Sequence, residues 1–280
     1  MTTALKVEKL YKSYGQNEVL KEISFDVKKG EIFGVLGVNG AGKTTLLECI
    51  EGIRRYDKGN IEILEKPQKQ GLLGIGVQLQ SSTLPSQIKV KEAIKLYSMW
   101  NNRKDSADAM RYGLSEIKNK KYSELSTGQK RRLHLALATI SDPEILFLDE
   151  PTAGLDVEGR AALHLEIRKM KAAGKTIILA SHDMAEVEAL CDRVAMIGGG
   201  KIVFLGSVNE FTAINKGNFK VHIKLSGKTE YLVFEIDDIN SGLIEVLNRQ
   251  KQSGEKITDI KIERPTLEES FLTIAKEVKK

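Results

Sequence analysis

The 280-residue chain has 41% hydrophobic and 29% charged residues and a formal net charge of +5, a profile that suits one large α/β domain with a small appendage and excludes disordered and low-complexity classes. Its longest apolar runs, such as Ile145–Leu148 and Ile177–Ala180, fall far short of the roughly 20 residues of a membrane-spanning helix. Met1–Lys6 lacks the basic-then-apolar pattern of a signal peptide, and Cys49 and Cys191 read as two reduced thiols, so a cytosolic location is expected.

In chain order, Ala4–Leu10, Val19–Val27 and Ile32–Leu36 alternate as strands. A Gly-rich loop then opens a helix over Lys43–Gly52, and Ile61–Leu64 and Ile75–Leu79 read as short strands. From Val90 to Ile140 the pattern turns helical and charged; the stretch from Ser81 to Asp142 carries 12 Lys/Arg against 6 Asp/Glu. Such an excess suits nucleic acid, anionic lipid, an acidic protein surface, or simply a solvated helical face. No aromatics alternate with these basic residues as in a single-strand binder, and no nucleic-acid partner is expected. Ile145–Leu148 reads as a buried strand, followed by a helix (Val157–Ala173), a strand (Thr176–Ser181), a helix (Met184–Cys191) and a strand (Arg193–Ile197). This alternation predicts a mostly parallel sheet with right-handed crossovers.

After Gly206 the pattern changes. Ser207–Glu210 fits a capping box at the start of a short helix, and Phe219–Leu225 and Glu230–Ile236 fit a hairpin around Ser226-Gly227-Lys228. A helix at Ser241–Gln250, a strand at Ile257–Ile262 and a helix from Thr266 complete an expected α+β accessory domain over 207–280, next to a nucleotide-binding domain over 1–206.

The chemistry is anchored by Gly37-Val38-Asn39-Gly40-Ala41-Gly42-Lys43-Thr44, a phosphate loop of the form G-x-x-x-x-G-K-[ST]. Its glycines let backbone N–H groups point inward at phosphate oxygens, and the following helix adds its positive end. Gly37, Asn39, Gly40, Ala41, Gly42, Lys43, Thr44 and Thr45 are therefore the expected nucleotide cradle. Lys43 should reach the β- and γ-phosphates, and the Thr44 hydroxyl should hold Mg²⁺. The strand Ile145–Leu148 delivers Asp149 and Glu150 to its C-terminal end, where ligands bind in open α/β sheets. Asp149 would support Mg²⁺, and Glu150 is placed to polarise the attacking water as general base.

Leu125-Ser126-Thr127-Gly128-Gln129 opens another helix, with Ser126 and Gln129 at capping-box spacing. Alone, this would be an ordinary capped helix. Beside the phosphate loop it is a second anion-binding helix start, which one nucleotide cannot readily use within the same subunit. Two copies packed head to tail would let each such start close the other copy's ATP site.

These residues resemble the ATP-binding cassette (ABC) ATPases, whose signature is Leu-Ser-Gly-Gly-Gln; the resemblance covers approximately Ala4–Gly206. It implies a phosphate-loop fold with a RecA-like core, an antiparallel β subdomain and a helical subdomain (here about 81–142). Tyr14 is similar to the aromatic residue that stacks on adenine. Gln80, with Gln78 as a competitor, is similar to the glutamine that touches Mg²⁺ and the attacking water. Ala153-Gly154-Leu155-Asp156 resembles the D-loop of the dimer interface, and His182 the switch histidine at the γ-phosphate. Ser126, Gly128, Gln129 and Asp156 would thus join the nucleotide-binding set. The family resemblance further implies a homodimer on the cytoplasmic face of a membrane, driving an integral membrane permease.

Two departures stand out: Thr127 replaces a signature glycine, and the stretch from Gln80 to Leu125 is shorter than the family usually carries. Its basic excess predicts a permease with an acidic or reduced docking surface. The tail through Arg264–Leu272 resembles that of export-type cassettes. Soluble cassette proteins of translation or DNA repair fit less well, since this chain has one cassette, no heptads and no Cys clusters; a cofactor-assembly cassette is the remaining alternative.

Overall fold

In the computed structural model, residues 2–38, 40–79, 83–103, 112–212, 219–228, 230–252, 256–263 and 271 are described. The chain divides into two compact units, Met1–Gly206 and Ser207–Lys280.

In the first unit, β1 (Thr3–Tyr14), β2 (Asn17–Lys28), β4 (Lys58–Ile63) and β5 (Lys66–Pro67) form an antiparallel sheet in the order β2-β1-β4-β5. A second sheet contains β3 (Ile32–Gly37), β6 (Ile75–Gln78), β7 (Ile145–Asp149), β8 (Thr176–Ala180), β9 (Arg193–Gly198) and β10 (Lys201–Ser207) in the order β10-β9-β3-β8-β7-β6. From β6 to β9 all its pairings are parallel. Strands β3, β7 and β8 are buried along their whole length, which explains their unbroken Val/Ile/Leu/Phe runs. The order reverses around β3, so the C-terminal ends of β3, β7 and β8 open on a switch-point crevice.

One apolar cluster unites the two sheets with α1 (Lys43–Ile50): Leu5, Val7, Ile23, Phe25, Phe33, Leu46, Ile50, Phe147 and Ile178 all belong to it. Phe25 and Phe33 stack with ring centroids 5.3 Å apart. The glycine at 59 is required sterically: at φ 114° it lies against the Lys9 carbonyl, where an added Cβ would come within 2.5 Å. The helices of this unit are α2 (Gln68–Gly71), α3 (Val90–Trp100), α4 (Thr127–Thr139), α5 (Val157–Ala172) and α6 (Met184–Leu190). Between α3 and α4 lie 3-10 turns at Ser115–Ile117 and Tyr122–Glu124. Within the basic stretch α3 is the long helix before α4, and residues 104–111 lie outside the described residues.

The structure adds elements that sequence periodicity did not reveal. Strand β10 follows β9 through Gly199-Gly200, both at positive φ, a two-residue hairpin turn. Lys66–Gly71 supplies β5 and α2. Strands β1, β2 and β4 all run beyond their apolar alternation, because ladder hydrogen bonding continues where side chains face solvent.

The second unit contains α7 (Val208–Thr212), α8 (Ile239–Gln252) and an antiparallel sheet of β11 (Phe219–Leu225), β12 (Tyr231–Ile236) and β13 (Ile257–Glu263) in the order β12-β11-β13. The Ser207–Glu210 capping box is present: Glu210 N–H donates to Ser207 Oγ at 3.1 Å, and Ser207 N–H to Glu210 Oε2 at 2.7 Å. Val221, Ile223, Leu225, Ile236 and Val246 form this unit's core. The helix expected from Thr266 lies outside the described residues apart from Phe271.

Candidate nucleotide site

The phosphate loop leaves β3 at Gly37 and enters α1 at Lys43. Gly37 has no room for a side chain: a Cβ would lie 2.8 Å from the Ile197 carbonyl. Gly42, at φ 104°, caps α1 without any side-chain acceptor, so the first amides of the helix remain available to an anion. Lys43 folds back over the loop, its Nζ donating to the Gly37 carbonyl at 2.7 Å and the Val38 carbonyl at 3.3 Å. Burial lowers its pKa, an effect opposed by the charges of Glu150 and Asp149. Ala41 is buried, Thr44 is exposed and Thr45 is half-buried. Asn39 and Gln80 lie outside the described residues.

Asp149 ends β7 and is 7% exposed. Burial, with Glu150 beside it, pushes its carboxyl up to about 6, while Lys43 pulls the other way. Glu150 follows at φ 46°, a left-handed conformation that costs a non-glycine residue on the order of 1 kcal/mol. It is held there by its own N–H, which donates to the Ala180 carbonyl at 2.9 Å, and by its carbonyl, which accepts from Ala153 N–H at 3.2 Å. The side chain therefore leaves the strand end sideways, and Oε1 reaches His182 Nδ1 at 2.8 Å. Lys43, Asp149, Glu150 and His182 thus form one electrostatic group at the sheet's C-terminal edge.

The donor set suits a hard cation. Asp149 and Glu150 crowd like charges that a cation would relieve, and the exposed Thr44 hydroxyl adds a neutral oxygen. Among the described residues no group of three His, Cys, Asp or Glu is placed to hold a metal.

Tyr14, 42% exposed at the end of β1, carries Lys12 Nζ at 5.4 Å and the Arg54 guanidinium at 5.3 Å from its ring centroid. The sequence reading missed both cations, because their contacts with the ring come from folding rather than from a local motif. Glu51 was also missed. It is buried, its Oε2 has no hydrogen-bond partner, and burial reinforced by Asp149 and Glu48 pushes its carboxyl up to about 8.

Ser126, Gly128, Gln129 and Asp156 come together elsewhere. Ser126 Oγ accepts from Gln129 N–H at 3.2 Å, and Gln129 Oε1 accepts from Ser126 N–H at 3.1 Å. Asp156 caps α5 through Gly159 N–H at 2.8 Å. The starts of α4 and α5 wall one concavity of about 470 Å³. Thr127 packs its methyl beside Gly154, where an added Cβ would lie 3.5 Å away. Gln78, the competitor of Gln80, is 1% exposed and lines a different concavity with Tyr97, Asn101, His134 and Ser141.

Comparison with known proteins shows the family. Residues 20–153 match the family model described as ABC transporter. The chain is 40% identical over 215 residues to Nod factor export ATP-binding protein I of Rhizobium etli, covering 73% of this chain and 68% of the relative. The chain belongs to the ABC transporter ATPases. It is 30% identical over 300 residues to daunorubicin resistance ATP-binding protein DrrA3 of Streptomyces coeruleorubidus, covering 96% and 95% of the two chains. Among solved structures, cbiO1 from Clostridium perfringens, part of the ABC transporter complex cbiONQ, superposes with a TM-score of 0.68 at 31% identity, covering 76% of this chain and 92% of that one. As an ABC ATP-binding subunit, this chain binds and hydrolyses ATP. No described helix is long and apolar enough to cross a membrane.

Proposed function

We propose that two copies of this chain close head to tail around two MgATP and drive a separate integral membrane permease from its cytoplasmic face, in the export direction. The observation that carries this reading is the division of nucleotide-binding parts between two places on one subunit: Lys43, Asp149, Glu150 and His182 at the sheet edge, and Ser126, Gly128, Gln129 and Asp156 around another concavity. A second copy's helix start completes the first copy's phosphate site. Export is supported by the relative named for Nod factor export and by the near full-length match to the daunorubicin resistance protein.

Within each site the adenine stacks on Tyr14, and amides from Gly37 to Thr45 receive the phosphates. Lys43 exchanges its two loop carbonyls for β- and γ-phosphate oxygens. Thr44, Asp149 and Gln80 would hold Mg²⁺, which neutralises phosphate charge. Glu150 orients the attacking water and takes its proton. With Nδ1–H donating to Glu150, a second proton on Nε2, present in the imidazolium form, would donate to the γ-phosphate. Closure pushes the permease into its other state, and hydrolysis reopens the pair.

The docking face is assigned to α3 and the segment after it. Lys91 N–H donates to the Lys118 carbonyl and Val90 N–H to the Lys120 carbonyl, which places these lysines at the start of α3. Lys91, Lys95, Leu96, Met99 and Trp100 are exposed along the same helix.

Size-exclusion of Glu150→Gln with MgATP tests the dimer. An ATP-dependent shift from monomer to dimer is expected, since bound nucleotide bridges the halves; a monomer at saturating MgATP would contradict the reading.

A further inference from the structure

Two polar contacts hold the loop that carries His182, one of them from α5. The first is an ion pair: Arg160 Nη1, on the first turn of α5, lies 2.8 Å from Asp183 Oδ2. The second is buried. Glu186 on α6 is 1% exposed, and its Oε2 accepts from Ser181 Oγ at 2.6 Å. Its Oε1 lies 3.6 Å from His164 Nε2, beyond hydrogen-bond reach, one helical turn along α5 from Arg160. An apolar side chain of similar volume would be less costly to bury than Glu186, but it could not hold Ser181.

His182 sits between these anchors. Ser181 is tied to Glu186 and Asp183 to Arg160. The two flanking residues are also tied to each other, Ser181 Oγ accepting from Asp183 N–H at 3.0 Å. Asp183 Oδ1 in turn caps α6 through the N–H groups of Ala185 and Glu186. At the other end, Arg160 N–H donates to the Asp156 carbonyl at 2.9 Å, and Asp156 Oδ1 caps α5. The turn 153–156 is therefore continuous with α5, and α5, through Arg160 and Asp183, with the loop that carries His182.

We propose that Arg160 and Glu186 are positioning residues, Arg160 tying the His182 loop to α5 and Glu186 holding its Ser181 side, so that displacement of the 153–156 turn on dimer closure is passed to the His182 ring where it meets Glu150. This rests on the reading of Glu150 and His182 as the catalytic pair. Neither residue touches nucleotide; both act through the loop they hold.

Steady-state ATPase kinetics of the full chain test it, using Arg160→Met, Asp183→Asn (which keeps an acceptor for the α6 cap) and the double variant. Each single substitution should lower kcat about three- to tenfold, with KM for ATP within about twofold of the parent and an unchanged melting midpoint. The double variant should be no worse than either single, Arg160→Lys should recover most of the loss, and Glu186→Gln should retain more activity than Glu186→Leu. Unchanged kcat in Arg160→Met, fully additive losses, or losses that track the melting midpoint would each overturn the link. His182→Ala separates the layers. If it is inactive while Arg160→Met is normal, only the link fails; if it is fully active, the catalytic reading fails and the link with it.

Discussion

His182 Nδ1 lies 2.8 Å from Glu150 Oε1, joining the ends of two neighbouring parallel strands through side chains 32 positions apart. The contact exists because Glu150 adopts a left-handed backbone, which turns its carboxylate across the strand end instead of along it. A carboxylate oxygen only accepts, so Nδ1 carries a proton in this contact.

The pair should behave as a unit. His182→Ala and Glu150→Gln should each lower kcat by about two orders of magnitude while ATP binding persists, and the double variant should be little worse than either alone. Single-turnover hydrolysis together with equilibrium nucleotide binding checks both parts; independent, multiplicative losses would argue against joint action.

Glu51 gives a pH signature in stability. Its carboxyl is raised from an ordinary 4.5 to about 8 by burial, so the folded state disfavours ionisation that the unfolded chain permits. Below pH 4.5 the group is protonated in both states and costs nothing; between 4.5 and 8 the folded protein loses up to about 1.4 kcal/mol per pH unit from this group. Glu51→Gln removes that loss. Its melting midpoint should exceed the parent's at pH 8.5 and match it near pH 4.5, and a difference independent of pH would refute the assignment.

The basic segment before α4 is testable through assembly. Lys118→Glu, Lys120→Glu and Lys121→Glu together should reduce recovery of the permease in co-purification while leaving the ATPase activity of the isolated chain near the parent's. Lys118 and Lys120 are exposed and Lys121 is half-buried, so exposed charge is reversed with little disturbance of packing. Undiminished co-purification would remove this face as the docking surface.

Much of the site was legible because its parts are local. The phosphate loop, the strand ending in Asp149-Glu150 and the Ser126–Gln129 capping box each depend on residues a few positions apart. The parallel core was legible for the same reason, its buried strands being unbroken apolar runs. What escaped depends on distant partners or on solvent-facing chain. Strand β10 is only half-buried, so its periodicity is faint despite the Gly199-Gly200 turn. Arg54 meets Tyr14, and Arg160 meets Asp183, across sequence gaps that no motif spans. Glu51 sits at the end of a helix, and its burial comes from packing that no local motif marks.

The central claim, that each ATP site is built from two copies, is tested most directly by mixing two inactive variants. Lys43→Ala disables a subunit's own phosphate loop, and Ser126→Glu disables the helix start it lends. A mixed pair contains one site with both defects and one with neither. Random pairing makes half the dimers mixed, so ATPase activity should recover to about a quarter of the parent's on mixing. Recovery from two silent preparations is the predicted result; continued silence, with mixed dimers shown to form, would contradict a shared site.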